Sequence, residues 1–164
     1  GCPDSIFVVV EALINPIKEG AFGLVYRFDN VAILRTFSKF FGLAGMRVGY
    51  AIANQKLIDI ANIGRPPFNV SLPAAVAAIA ALQDENFLRQ CSEKFLEEST
   101  YFRAQLSSHP SVRVVGCHGN MMLLELASCS SAEVASMLAS QGIVVADATS
   151  FDGLQNTATL RVSP

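Results

Sequence analysis

The sequence has no excess of charge: twelve Lys and Arg stand against fourteen Asp and Glu over 164 residues, and no block of one sign occurs. A basic face or stripe is the electrostatic footprint of a nucleic-acid binder, so nucleic acid is not an expected partner. Long hydrophobic runs are missing as well. The apolar stretches break well before the ~20 residues that a bilayer crossing needs, and no membrane span is expected. The four cysteines, Cys2, Cys91, Cys117 and Cys129, lack CxxC spacing. With no secretory apolar segment recognisable, they predict neither a disulfide framework nor a zinc site. They read as reduced thiols of a cytoplasmic protein, small hydrophobes buried or half-buried in the fold. Internal repeats and low-complexity segments are also absent.

What is present is a globular composition, with 51% hydrophobic and 16% charged residues, far from the polar, charge-rich balance of a disordered chain. The length fits one ordinary domain or two small ones, and a chain of this size can bury roughly 68–70% of its unfolded surface.

Short apolar runs alternate with helical patterns, which is the signal of an α/β fold. Ile6 to Val10, Val31 to Thr36 and Val48 to Ala53 are predicted strands, each read as a central strand of a sheet covered on both faces. Only five residues precede the first, so the chain is expected to begin in mid-domain. A short helix is predicted around Phe22 to Phe28. Asn54 caps a helix over Gln55 to Ile63, stopped by Gly64-Arg-Pro-Pro67. Ser71 opens another over Leu72 to Leu82, with Pro73 in its first turn. The many alanines of this helix predict close packing on several sides and burial.

Beyond Asp84 the pattern changes. Glu85 to His109 reads as a long amphipathic helix with Phe87, Leu88, Cys91, Phe95, Phe102 and Leu106 on its apolar stripe. From Pro110 a compact α+β unit is predicted: strands Val112 to Val115, Met121 to Leu126, Ile143 to Val145 and Thr159 to Val162, with a helix over Ser131 to Gln141 that Gly142 caps. The domain boundary is placed around residues 84 to 108.

Chemistry concentrates between the second and third strands, in Ser38-Lys39-Phe-Phe-Gly42-Leu-Ala-Gly45-Met-Arg47. A lysine at a strand end and an arginine eight residues on place an amine and a guanidinium beside one anionic ligand. The arginine fork and the seryl hydroxyl suit phosphate oxygens, while Gly42 and Gly45 permit tight turns. Positive charge and burial would favour the neutral amine, the form that attacks a carbonyl, so the pattern points to a Schiff-base site.

Ser38-Lys39-x-x-Gly42-x-x-Gly45-x-Arg47 resembles the lysine signature of class I/II aminotransferases of the type I pyridoxal-phosphate (PLP) fold. The stretch Leu34 to Tyr50, with Arg65-Pro-Pro-Phe-Asn-Val-Ser71, is most similar to histidinol-phosphate aminotransferases and the related threonine-phosphate decarboxylases. The resemblance is dense over residues 31 to 82 and looser beyond. It implies the α/β large-domain sheet of that fold in part over residues 1–84, a connecting helix over 85–108, and a small C-terminal α+β domain over 109–164 that stops before a last helix. It implies Lys39 as the catalytic, cofactor-bearing lysine. Ser38 and Arg47 would hold the cofactor phosphate, Arg161 the substrate carboxylate, and Asn120 would be a further substrate contact. The partners it implies are an amino acid or amino-alcohol phosphate and a 2-oxo acid, handled by a homodimer.

Departures accompany the matches. The family places an Asp and a Tyr on the cofactor ring in an Asp-Glu-Ala-Tyr run, where this sequence reads Val10-Glu11-Ala12-Leu13. An arginine serving the substrate's distal phosphate has Ala146-Asp147 in its neighbourhood. The chain is about half the family's length, and large apolar surfaces would be left uncovered. On that ground it is expected to be unstable or partner-dependent alone. Three functions stand open: an aminotransferase of the histidinol-phosphate type, a PLP-dependent decarboxylase, and a non-catalytic remnant of the family.

Overall fold

A computed structural model of the chain describes residues 2, 4–119 and 121–163. These divide into two compact units, one running up to Cys91 and the other from Ser92.

The first unit is built on a three-stranded sheet in the order β1-β2-β3, formed by β1 (Phe7–Val10), β2 (Val31–Thr36) and β3 (Gly49–Ala53). β1 runs parallel to β2, pairing Phe7 with Val31 and Val10 with Leu34. β3 returns antiparallel, pairing Thr36 with Gly49 and Ala32 with Ala53. β2 is the inner strand, and its Val31 and Ile33 are buried. The three predicted strands therefore form, but the expectation that each is covered on both faces fails for β1. Its Phe7, Val8 and Val10 are exposed, because β1 is an edge strand with no neighbour on its far side among the described residues.

One ion pair ties β1 to β2. Glu11, the first residue past β1, accepts from the Arg35 Nε at 2.9 Å and from the Ala21 backbone N–H at 2.6 Å. The two charged side chains are only 10% and 11% exposed. Arg35 Nη2 also donates to the Glu19 carbonyl at 2.7 Å, so one guanidinium gathers the loop between β1 and β2. Burial alone would lower the Arg35 pKa, but hydrogen bonds to Glu11 and Tyr50 raise it above the usual arginine value and keep the charge. Gly20 sits at φ +63, where a Cβ would lie 2.4 Å from Glu11 Oε1; only glycine allows this approach.

Within this loop the predicted short helix is a 3-10 turn, Phe22–Tyr26. Two α-helices follow β3: α1 (Gln55–Ile63) and α2 (Leu72–Gln83). Asn54 and Ser71 cap them as predicted, accepting from Lys56 N at 2.9 Å and Ala74 N at 3.3 Å. α2 packs a narrow alanine face, Ala74 and Ala78, onto Phe37, Phe41, Val48 and Leu88. It is not the buried helix its alanines suggest. Leu72, Val76, Ile79 and Leu82 on its other side are exposed, since alanine is small enough for close approach on one face whatever the opposite face meets.

α3 (Glu85–Ser107) carries the division between the units, with Cys91 and Ser92 inside it. It ends two residues before the predicted His109, ahead of Pro110, since a residue preceding proline is steered out of helical backbone. In the second unit β4 (Val112–His118), β5 (Met121–Leu126), β6 (Ala146–Asp147) and β7 (Thr159–Val162) make an antiparallel sheet in the order β4-β5-β7-β6. Its core is Met122, Leu124, Leu160 and Val162, with Phe102, Leu106, Val134 and Val145 packed around them. β4 runs past the predicted Val115 because a bulge at Val114 and Gly116 lets pairing resume with β5.

The strand predicted at Ile143 to Val145 is not there. α4 (Ser131–Ser140) ends on Gly142 at φ +80, and the Gly142 and Ile143 amides donate back to Ala139 and Leu138 at 3.0 Å each. The helix cap thus engages this backbone, and pairing with β7 starts only at Ala146.

All four cysteines are free, and Cys2 and Cys129 are exposed where burial or half-burial was expected. Both lie outside the strands and helices of the fold, Cys129 at a bend. Among the described residues no helix is long and apolar enough to cross a membrane, and no cluster of His, Cys, Asp and Glu suits a metal ion.

Two outcomes follow from these bonds. Replacing Glu11 with Ala strands the largely buried Arg35 charge and should cost about 2–3 kcal/mol, in the range of hydrogen bonds to charged groups. It should appear as a lower urea midpoint at unchanged slope; a loss below about 0.5 kcal/mol would mean that the pair behaves as an exposed one. Asp147 is a different case. Its carboxylate accepts from the Thr149 amide, the Ser131 hydroxyl and the Thr149 hydroxyl, which lower its pKa from the ordinary 3.8. A depressed carboxyl contributes stability in full above the ordinary value and loses it as pH falls through the lower, folded value. The stability difference between the native chain and Asp147→Asn, followed by urea titration, should therefore hold at neutral pH and shrink below pH 3.8. A difference independent of pH would contradict it.

Candidate functional site

The turn between β2 and β3 alternates in burial. Phe37 and Phe41 are buried, with ring centroids 4.7 Å apart, and pin the turn beneath α2. Between them Ser38 is half-buried and Lys39 is exposed, so the packing of two phenylalanines presents a hydroxyl and an amine. Fully burying a phenylalanine side chain is worth about 1.5–3 kcal/mol, enough to hold a loop of this size in place.

Backbone bonds close the turn: Gly42 N donates to Lys39 O at 3.0 Å, Leu43 N to Phe37 O at 3.0 Å, and Phe37 N to Val48 O at 3.2 Å. Gly42 is at φ +69, as the tight turn requires. At Gly42 and Gly45 nothing lies within 4 Å of where a Cβ would stand, which leaves the main chain open to a ligand. Gly49 has a different role: its Cβ would meet the Arg35 carbonyl at 2.8 Å, so glycine permits the close pairing that starts β3.

Ser38 is held by Thr36, whose hydroxyl accepts from the Ser38 amide at 3.0 Å and donates to the Ser38 hydroxyl oxygen at 2.9 Å. The Ser38 hydroxyl hydrogen remains available to donate. Arg47 donates from Nη1 to the Ala44 carbonyl at 2.9 Å. Its backbone is left-handed, at φ +52. For a residue with a Cβ this conformation costs roughly 1–2 kcal/mol, and glycine would relieve it. Ser38, Lys39 and Arg47 are thus brought together on one closed turn just past the carboxyl end of β2, the edge at which open α/β sheets bind ligands.

β1 ends at the same edge because it is parallel to β2. Val10 there is 66% exposed, and Leu13 is half-buried. Glu11 is withdrawn into its pair with Arg35. Sequence reasoning had no partner for Glu11; the signal lay in Arg35, which reads as one more strand residue until the register is known.

A cavity of about 690 Å³ lies on the first unit, lined among others by Arg35, Tyr50, Asn62, Arg65 and Asn69. Lys39 is not part of its wall. Arg65 and Asn69 belong to the stretch noted for its resemblance, but the sequence alone assigned them no place.

In the second unit Arg161 sits on β7, half-buried, with its guanidinium 5.0 Å from the centre of the Phe151 ring. Such stacking fixes the plane of the guanidinium while leaving its edge free for an anion. Ala146 pairs with Arg161, and Asp147 is engaged by Ser131 and Thr149. Asn120 lies outside the described residues.

Comparison with known proteins agrees with this geometry. The profile of the family "Aminotransferase class I and II" matches residues 10–164. Histidinol-phosphate aminotransferase of Methanosphaera stadtmanae is 34% identical over 153 residues, 92% of this chain and 42% of that protein. The enzyme of the same name from Methanocaldococcus jannaschii is 40% identical over 127 residues, 77% of this chain and 34% of that protein. The chain therefore spans about two fifths or less of the length of these relatives. Among solved structures, histidinol-phosphate aminotransferase from Clostridium acetobutylicum superposes with a TM-score of 0.90 at 25% identity, over 96% of this chain and 48% of that one. L-threonine-O-3-phosphate decarboxylase from Porphyromonas gingivalis shares the fold, with a TM-score of 0.83 at 22% identity over 99% of this chain and 51% of that one. A family match over nearly the whole chain, joined to a lysine, serine and arginine on one turn at the carboxyl edge of a parallel strand pair, establishes that the chain belongs to the class I and II aminotransferases.

Proposed function

We propose that the chain is a segment of a cytoplasmic, PLP-dependent aminotransferase of the histidinol-phosphate type, moving an amino group between an amino acid or amino-alcohol phosphate and a 2-oxo acid. The observation that carries this reading is the turn that gathers Ser38, Lys39 and Arg47. Relatives named histidinol-phosphate aminotransferase at 34% and 40% identity support the substrate type.

The donor set fits the phosphate and aldehyde ends of PLP. A hydroxyl, a guanidinium and open glycine backbone suit a phosphate dianion, and the exposed Lys39 amine suits a carbonyl carbon. When bound, PLP supplies the electron sink that lets a proton leave a substrate's α-carbon. Lys39 Nζ would hold the cofactor's aldehyde carbon and, when free of it, would be the amine that carries that proton. Ser38 Oγ and the Arg47 guanidinium would hold the phosphate, and because both belong to the turn that bears Lys39, gripping the phosphate would also orient the amine. Arg161, its plane set by Phe151, is the group assigned to a carboxylate.

Borohydride reduction of the PLP-treated chain should place the label on Lys39, and Lys39→Ala should abolish it. Equal labelling of Lys18, Lys56 and Lys94, read by peptide mass spectrometry, would overturn the site. Arg47 offers a second check. Glycine suits its backbone angle, so Arg47→Gly should leave thermal stability unchanged or slightly higher. It should weaken PLP binding about 10- to 100-fold, the value of a charge-assisted hydrogen bond of about 1.5–3 kcal/mol. Pyridoxal without its phosphate should bind the variant and the native chain alike; equal loss for both ligands would show that Arg47 shapes the turn and does not hold the phosphate.

A further inference from the structure

At the edge that offers an amine and a phosphate cradle, the described residue that ends the strand beside β2 is not an acid. Cofactor chemistry of this kind draws on a charged partner for the pyridine nitrogen, and a carboxylate there favours the protonated ring. The strand next to the lysine-bearing one ends here in Val10, an exposed side chain with no charge and no hydrogen-bonding atom. Leu13, at the turn that follows, adds none.

Glu11 cannot be redirected. Oε1 accepts the Ala21 amide at 2.6 Å and Oε2 the Arg35 Nε at 2.9 Å, and Gly20 is so close that not even a Cβ fits beside the carboxylate. Turning it away would leave Arg35, only 11% exposed, without its counter-charge. Arg35 is equally engaged, by Glu11 and the Glu19 carbonyl.

The remaining carboxylates of the first unit stand elsewhere. Asp4 and Asp29 precede β1 and β2, at the opposite edge of the parallel pair. Glu19 has its carboxylate on the side of Gly23 in the loop between β1 and β2, and it lines a recess with Ile17, Arg35 and Ile52. Asp59 accepts from Gln55, Asp84 caps α3 through the Phe87 amide, and Glu85 stands in the first turn of that helix.

We infer that this chain takes up PLP by its phosphate and aldehyde ends alone and leaves the pyridine nitrogen unprotonated at neutral pH. The inference rests on the reading of Ser38, Lys39 and Arg47 as the PLP site and adds to it a divided role: capture of the cofactor is retained, and activation of its ring is not. The physical ground is that protonation of the ring adds a positive charge, which Val10 does nothing to stabilise, while the guanidinium of Arg47 and a lysine-bearing turn set positive charge nearby. A carboxylate at position 10 would reverse that balance, and each unit of change is tenfold in the ratio of protonated to unprotonated ring.

The experiment loads the full chain with PLP labelled with nitrogen-15 in the ring and records the ring nitrogen's chemical shift between pH 6 and 9, with borohydride capture at Lys39 read in parallel by mass spectrometry. The native chain should be labelled at Lys39 and show the unprotonated ring signal throughout. Val10→Asp should keep the Lys39 label and move the ring signal to its protonated position, at least tenfold in the ratio of the two forms at pH 7. Val10→Asn, polar but uncharged, should behave as the native chain, which separates charge from shape and covers the case of Val10→Asp failing to fold. A protonated ring in the native chain with Lys39 labelled would overturn the inference alone and leave the site standing. So would a protonated ring in Val10→Asn. Absence of label at Lys39 would overturn both the site and the inference built on it.

Discussion

The Glu11–Arg35 pair is the constraint on which the rest of the first unit depends. A parallel strand pair cannot be closed by a tight hairpin; its chain must leave one end and return to the other, and the ordering cost of that excursion has to be met by specific bonds. Here the excursion is a loop without an α-helix, and one guanidinium reaches the carboxylate at its start and the carbonyl of Glu19 within it. β1 contributes little burial of its own, since three of its four side chains are exposed. It stays in place through its ladder to β2, the Glu11 amide to the Leu34 carbonyl at 2.8 Å, and this ion pair. β2 is thereby fixed from one side by β1 and from the other by β3, and the turn bearing Lys39 inherits its position from both. Because a carboxylate that anchors a strand cannot also serve a ligand, the same bond that sets the edge in place commits Glu11 to the fold.

How legible this was in the sequence depends on the range of the interactions involved. α1 was readable because an asparagine cap and a glycine-proline stop bracket its pattern, and both are local. β2 was readable as a β-branched apolar run because it is in fact the inner strand. That Ser38, Lys39 and Arg47 share one turn was readable because spacing within ten residues maps directly onto one loop. Two of the failures are matters of what lies opposite. Composition gives β1 the look of a buried strand and α2 that of a buried helix, but burial is a property of neighbours, and these faces have none among the described residues. Ile143 to Val145 reads as a strand because its residues favour one, yet a glycine in the left-handed region commits that backbone to the end of α4. The partnership of Glu11 with Arg35 spans a register that only the folded sheet reveals.

The left-handed Arg47 bears on the same question of what is local. Gly42 at φ +69 is an ordinary use of glycine, since the turn needs the angle and glycine reaches it without strain. At Arg47 the angle is similar, but the side chain is one of the longest available and lies exposed, with its Nη1 bonded to the Ala44 carbonyl. A backbone strain of about 1–2 kcal/mol at an exposed position, with glycine a ready alternative, is not explained by the stability of the turn. It fits the role proposed for Arg47, a guanidinium placed for an anion, and it points the same way as the open backbone at Gly42 and Gly45.

α2 shows how one helix can serve two surfaces with different chemistry. Ala74 and Ala78 lie one turn apart on the side that meets Phe37 and Phe41, where their small size lets aromatic rings come close and brace the lysine turn from beneath. Leu72, Val76, Ile79 and Leu82 follow one another at three- and four-residue steps on another face and are exposed. Each large apolar side chain left in water forgoes roughly 1.5–3 kcal/mol of burial, against a total stability of about 5–15 kcal/mol for an ordinary domain. The alanine face is therefore the part of α2 that works within the first unit, and its burial positions the site. The leucine, valine and isoleucine face contributes nothing to that, and its exposure is set by what lies beyond the first unit's own packing.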